Sequence, residues 1–424
     1  VTLLFSVGVI VWIFFIKKPD GTTQGVLPTN PFGLSSSRGS NFLNLNTESG
    51  KRGVSSPDTT TEVTKGKREL LTQIWDKPVA GYSFVDRSIL EQVPSTTASG
   101  TASLEQTRAT TTSIFFVDRT TGYVYEYLYT TQKIHQISNT LVPGVYDAYF
   151  YSNGNYVLLR SFDDTKKVII SSLYSVPSVS NTSDPTALGK ITELPVNITS
   201  VSVNRLGTEI SYLVKTDKGG LLYTLDQKQK ETVASLPFSD WGLIYGGNTL
   251  YIESKASAYV PGYIMDVYTG EGVISGRTGL VSTPSPSNRL FISSMFSKTG
   301  LLTFVFNKIT GQTSVLPIKT IASKCTYEQK TDIAVCAVPK DAPQGVRGYP
   351  DDWYQGSVSF SDSLYLVSND VTSDVPIIDI SKEGKGDMDI TKLVFNSDNS
   401  ALSFTNKKDG TLWLVAMDIL SGDE

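Results

Sequence analysis

Along most of this chain apolar and polar positions alternate in short runs broken by turn residues, a pattern that predicts β-strands. Residues 389–424 show it most clearly. Asp389-Ile390-Thr391-Lys392-Leu393-Val394-Phe395 reads as one strand, 401–405 as a second and 411–418 as a third. Asn396-Ser397-Asp398-Asn399-Ser400 and Asn406-Lys407-Lys408-Asp409-Gly410 are the turns between them. Asn, Asp, Ser and Gly suit such turns because their side chains bond nearby backbone or tolerate positive φ. Three strands make an incomplete four-stranded unit, so a fourth is expected from elsewhere. No stretch after residue 20 keeps a 3.6-residue apolar period for three turns, which argues against long helices.

A longer period lies on top of the alternation. Asp266-Val-Tyr-Thr-Gly270, Asn307-Lys-Ile-Thr-Gly311 and Asp418-Ile-Leu-Ser-Gly422 share one turn chemistry, and Asp226-Gln-Lys-Gln-Lys230 holds the equivalent place without the glycine. Asp226 to Asp266 is 40 residues and Asp266 to Asn307 is 41. Each unit reads as a hairpin turn. A strand–turn–strand unit recurs at 149–159, 201–213 and 393–404. Four strands in about 40 residues is the period of a β-propeller blade. Innermost strands are expected near 79, 145, 198, 240, 280, 321 and 390, giving seven blades. Three blades carry insertions: a Ser/Thr-rich loop at 95–112, residues 175–186, and 339–359. Glu69-Leu-Leu-Thr-Gln-Ile-Trp75 has the layout of an outer strand with no blade of its own. Pairing it with the last blade closes the ring and removes two exposed sheet edges. The fold class is therefore all-β, a seven-bladed propeller over 68–424.

Phe395-Asn-Ser-Asp-Asn-Ser-Ala-Leu-Ser-Phe404, followed by Asp409-Gly410-Thr-Leu-Trp413, resembles the repeat of TolB-like and WD40-like propellers. In those repeats a Ser-Pro-Asp-Gly turn joins inner strands and an Asp-Gly turn precedes the third. The resemblance is strongest in this blade and extends to 201–226. Trp-Asp occurs only at 75–76, so the chain is not a strict WD40 array. As a whole the chain is similar to membrane-anchored propeller proteins of bacteria. That likeness implies a fold and topology but no activity, because propellers host many functions.

The N-terminal part is different. Residues 1–16 are an unbroken apolar run, ended by Lys17-Lys18-Pro19-Asp20. As a helix they span roughly 24 Å, short of a hydrocarbon core of about 30 Å. The chain begins at Val1, so the run is expected to continue upstream as a transmembrane anchor over 1–18. A cleaved signal-peptide core is the other reading, although no small-residue cleavage site follows. Residues 19–67 are rich in Gly, Ser, Thr, Asn and Pro, with Phe32 and Phe42 as the aromatics. Such a segment is expected to be a flexible tether.

Composition narrows the partners. Charged residues are 18% and the net charge is −4, with no basic cluster, so nucleic acid is not expected. One His and two Cys leave few ligands for a transition metal, and no cofactor is expected. His135 alternates like an outer-strand residue, and no Gly-x-Ser-x-Gly elbow is present. Asp387-Met-Asp389 lacks the spacing of a calcium loop and reads as a polar link between blades. Cys325 and Cys336 flank a hairpin; a turn near Lys330 sets them directly opposite. They are two buried thiols or a disulfide. A disulfide would place the propeller outside the cytoplasm.

The interaction candidates lie in Tyr349-Pro-Asp-Asp-Trp-Tyr-Gln-Gly356: Tyr349, Asp351, Asp352, Trp353 and Tyr354. Aromatic residues on loops anchor proteins and sugars. Trp353 could instead plug one face of the ring. The functional expectation is a membrane-anchored extracytoplasmic propeller that binds or scaffolds an envelope protein or glycan. The alternative is an envelope hydrolase or lyase using carboxylates at the central channel, whose mark would be a close carboxylate pair of raised pKa.

Overall fold

The strand missing from the last blade comes from the N-terminal side. In the computed structural model, which describes residues 68–421 apart from 97–101, 179–183, 227–228, 298–299, 342–347 and 369–373, Leu71–Trp75 (β1) pairs antiparallel with Leu412–Ala416 (β28). Strands are numbered β1 to β28 along the chain. Leu71 faces Val415 and Trp75 faces Leu412, and the sheet continues from β28 to Ala401–Asn406 (β27) and Ile390–Phe395 (β26). The expected anchor at 1–18 and tether at 19–67 lie outside the described residues.

Six further four-stranded sheets, each built from consecutive strands, make seven blades. Their innermost strands are Val79–Thr96 (β2), Val145–Tyr151 (β6), Ile198–Val203 (β10), Trp241–Gly246 (β14), Val281–Pro284 (β18), Cys325–Tyr327 (β22) and Ile390–Phe395 (β26). Six begin within a residue of the expected positions. In the sixth blade Ala322–Lys324 form a 3-10 turn, which delays the strand to Cys325. Inner strands of neighbouring blades touch around the ring, blade five meeting blade six through the 3-10 turn Ala322–Lys324, and β26 meets β2.

Seven apolar clusters hold the fold, one at each junction between neighbouring blades. The blade-seven/blade-one junction packs Ile74, Val79, Ile114, Phe116, Ala401, Leu412 and Leu414. Middle strands are covered on both sides and so are mostly buried; in blade seven Ala401–Asn406 (β27) and Leu412–Ala416 are entirely buried. That is why their sequence runs apolar instead of alternating. Gly81 lets β2 and β6 approach closely; a Cβ there would sit 2.0 Å from the Ala148 carbonyl oxygen.

Antiparallel order gives the ring two distinct faces. The upper face carries the turns between second and third strands and the links between blades. The lower face carries the remaining turns, and both the start of β1 and the end of β28 lie there. The turns at 266–270 and 307–311 form as expected. Asp266 Oδ1 accepts the N–H groups of Tyr268 and Thr269, Asn307 Oδ1 does the same for Ile309 and Thr310, and Gly270 and Gly311 take positive φ.

Two expectations are corrected. The described part of 95–112 is strand, not loop: β2 and Ala102–Asp118 (β3) stay paired out to Thr96 and Ala102. Its threonines suit extended backbone as well as they suit loops. Asp418 does not start a hairpin turn. Met417–Ser421 is a helical turn, and Asp418 pairs with Arg68 at 2.6 Å, because the next strand of that sheet comes from β1.

Candidate interaction face

Cys325 and Cys336 face one another across β22 and Ala334–Pro339 (β23), and they form a disulfide. It sits beneath the insertion of blade six. That insertion joins β23 to Asp362–Val367 (β24), so it lies on the upper face. It includes one helical turn, Asp351–Tyr354, which reaches back over blade five. Asp351 Oδ2 accepts the N–H of Ala258 from blade four at 2.5 Å. Asp352 packs its carboxylate against Gly348, where a Cβ would meet Oδ2 at 2.2 Å.

The five candidate residues split between inside and outside. Tyr349 and Trp353 are buried, 3% and 2% exposed, and both stack near Phe360. Tyr354 is 49% exposed, and its hydroxyl meets Ser323 Oγ at 3.3 Å. Asp351 and Asp352 are half-buried.

Beneath Trp353 lies an ion cluster that the sequence did not announce. Lys324 Nζ is 2.5 Å from Asp389 Oδ1 and 2.7 Å from Asp362 Oδ2, and all three side chains are fully enclosed. The Trp353 indole N–H donates to Asp389 at 3.0 Å, as do Ser359 Oγ (3.2 Å) and the Phe360 N–H (3.1 Å). Asp362 accepts the Ile390 N–H at 2.6 Å, while its Oδ1 has no partner. Burial raises the Asp362 carboxyl to about 6, against the pull of Lys324. Lys324 also lies over the rings of Trp353 and Phe360. Asp389, read from sequence as part of a polar link, is thus an anchor between blades six and seven, and Met388 beside it is buried too.

A second shifted carboxyl is Glu253, on the second strand of blade four. Enclosure raises it to about 8, and the Ser282 N–H at 3.4 Å only partly offsets this. Gly242 opposite makes room for the side chain, since a Cβ there would touch Glu253 Cγ at 3.1 Å.

The central channel has a volume of about 420 Å³ and is lined by the inner strands of all seven blades. Arg205 crosses its lower end: the guanidinium donates to the Glu328 carbonyl at 2.5 Å and to that of Tyr327. Burial lowers its pKa to about 10. The upper face also bears a shallow groove of about 490 Å³ between blades three and four, walled by Pro237, Phe238, Trp241, Val260, Pro261 and Tyr263.

Six aromatic side chains are strongly exposed among the described residues: Phe162, Phe238, Tyr259, Tyr263, Tyr268 and Tyr354. Five lie on the upper face; Tyr268, in the 266–270 turn, is the exception. Tyr259 is 76% exposed and Phe238 66%. Single scattered apolar residues are ordinary; their collection on one face is not.

No protein-family model matches the chain, and no curated protein is similar to it in sequence. Among solved structures the chain is similar to the beta-propeller domain of Myceliophteria thermophila Cps50 (Swd1), with 9% identity and a TM-score of 0.43 over 72% of this chain and 93% of that chain. The likeness is one of fold.

Proposed function

We propose that the protein is a membrane-anchored, extracytoplasmic propeller that binds a protein or glycan of the cell envelope with its upper face. The observation that carries this reading is the gathering of five of six exposed aromatic side chains on that face. Exposed aromatics with polar neighbours anchor protein and sugar partners because they give large contact area at little entropic cost. The described chain enters through Arg68 on the lower face, so the point of attachment is opposite the aromatic side. The disulfide fits an oxidising compartment. A hydrolase or lyase reading has less support: among the described residues the buried pair Asp362 and Asp389, of which Asp362 has a raised pKa, is closed to substrate by Trp353.

The test uses the full chain as bait in detergent-solubilised envelope. A Phe238→Ala/Tyr259→Ala/Tyr354→Ala variant is set beside a lower-face control, Tyr268→Ala. A partner held by wild type and control but lost by the triple variant supports the proposal. A partner held equally by all three refutes the upper-face assignment.

A further inference from the structure

Lys324 and Asp389 are placed for a covalent bond as well as an ionic one. Lys324 ends the 3-10 turn before β22, and Asp389 immediately precedes β26. Nζ and Oδ1 are 2.5 Å apart, both side chains are fully enclosed, and the rings of Trp353 and Phe360 cover the lysine. Other lysine–carboxylate pairs of the described residues, such as Lys308 with Asp266 and Lys340 with Asp379, reach solvent. Enclosure matters in two ways. A dry site penalises charge, so an ion pair there can pass its proton and become amine and acid. An amide formed there also meets no water to hydrolyse it.

The two oxygens of Asp389 have different surroundings. Oδ1 faces the lysine. Oδ2 accepts the Phe360 N–H at 3.1 Å, the Ser359 hydroxyl at 3.2 Å and the Trp353 indole N–H at 3.0 Å; the indole is also 3.1 Å from Oδ1. Three donors on one oxygen stabilise the charge that gathers there when a nucleophile attacks the carbon. Asp362 completes the set. Its Oδ2 is 2.7 Å from Nζ, its Oδ1 has no partner, and its carboxyl, raised to about 6, can hold a proton and pass it on.

We propose that Lys324 and Asp389 condense to an intramolecular isopeptide bond, with Asp362 as the proton shuttle. The ion pair first moves a proton from Nζ to Oδ1, leaving a neutral amine and a neutral acid. Nζ then attacks Cγ, and charge collects on Oδ2 among its three donors. Asp362 gives its proton to Oδ1 and takes one from Nζ. Oδ1 leaves as water and Oδ2 becomes the amide carbonyl. The Nζ–Cγ bond forms, the Cγ–Oδ1 bond breaks, Nζ keeps one of its three protons, the other two depart with the water, and Asp362 ends as it began. Only the neutral form of the pair reacts, so freshly folded chain holds the ion cluster and the bond accumulates afterwards. It ties the start of blade six to the start of blade seven across 65 residues. It does not depend on the upper-face reading.

The test is the intact mass of the full chain, measured after reduction of the disulfide and followed from fresh folding through a week of warm incubation at neutral pH. The wild type is expected to lose the mass of one water, and its digest to contain a branched peptide joining residues 324 and 389. The branched peptide separates this bond from cyclisation at Asp409-Gly410, which also loses a water. Lys324→Arg keeps a cation without a reactive amine and is expected to give no branched peptide. Asp362→Asn keeps the shape without the acid and is expected to condense at least about a hundredfold more slowly. Near-ultraviolet circular dichroism checks that each variant is folded, and the wild-type time course decides the bond whether or not they fold. A wild type that keeps its full mass, or that yields no branched peptide, overturns the proposal. A folded Asp362→Asn chain that condenses at the wild-type rate overturns the role given to Asp362.

Discussion

Replacing Lys324 with Met should destabilise the propeller by an amount that grows with pH. The side chain is fully enclosed and balances two carboxylates at 2.5 and 2.7 Å. Removing one member of a buried ion pair costs about 3–5 kcal/mol, because the remaining charge has no counterion. Here the cluster would keep two carboxylates and no cation. Asp389 retains donors from Trp353, Ser359 and Phe360, so Asp362, with an unpartnered oxygen, is the one that must take a proton. In the wild type Asp362 already has a folded-state pKa of about 6, above its ordinary 3.8. Its favourable contribution is thus present below about 4 and lost as pH rises through 6. Without Lys324 that pKa rises further, and the loss continues to higher pH. Between pH 6 and 8 the folded variant holds about one more proton than the folded wild type. The gap between their stabilities should then widen by about 1.4 kcal/mol per pH unit. Urea unfolding followed by tryptophan fluorescence at pH 5, 6, 7 and 8 measures it. Adding Asp362→Asn to the Lys324→Met variant should remove the slope. A gap that stays constant over this range, or no destabilisation at all, would refute the account of the cluster.

Glu253→Gln should flatten a second pH dependence. The folded-state pKa of Glu253 is about 8 against an ordinary 4.5, so its contribution is full below 4.5 and lost as pH rises through 8. Thermal melts at pH 5 and 9 should show the wild type losing on the order of 3 kcal/mol more than the variant; equal losses would contradict this. The double change Cys325→Ala/Cys336→Ala, or reduction, should cost about 2–3 kcal/mol of unfolding free energy in urea. Deleting residues 68–75 removes β1, which buries Leu71 and Ile74 and covers the edge of β28. The truncated ring should expose that edge and aggregate, and a monomeric product with an unchanged melting transition in light scattering and calorimetry would count against closure by β1.

The blades were legible because their signals are local. A turn such as 266–270 needs an acidic or amide cap and a glycine at positive φ, and both are chosen within five residues. The opposition of Cys325 and Cys336 follows from one short hairpin. Closure by 69–75 follows from counting strands. Where local chemistry was ambiguous, the reading failed. The run 95–112 is rich in Ser and Thr, which favour loops when isolated, yet two such runs can pair as strands when each faces the other. Asp418 has the cap of a hairpin turn, but the outer edge of β28 is already taken by β1.

The ion cluster and the aromatic face were not legible, because neither resides in any one segment. Lys324 and Asp389 are 65 residues apart and belong to different blades, and nothing near either marks it as buried. A lysine beside a cysteine on a strand start is ordinarily a solvated side chain; it is enclosed only because Trp353 closes over it from an insertion later in the chain. The aromatic face has the same origin. Phe238 sits on a link between blades, Tyr259 and Tyr263 flank a turn between second and third strands, and Tyr354 lies in an insertion. Each in isolation resembles an ordinary turn-flanking aromatic. They share a face only because antiparallel order sends links between blades and alternate turns to the same side of the ring. Once the strand order is known, that side can be assigned to each residue from its number alone. The case for a binding surface therefore rests on topology acting on several unremarkable residues together, and substituting them together is the variant that can test it.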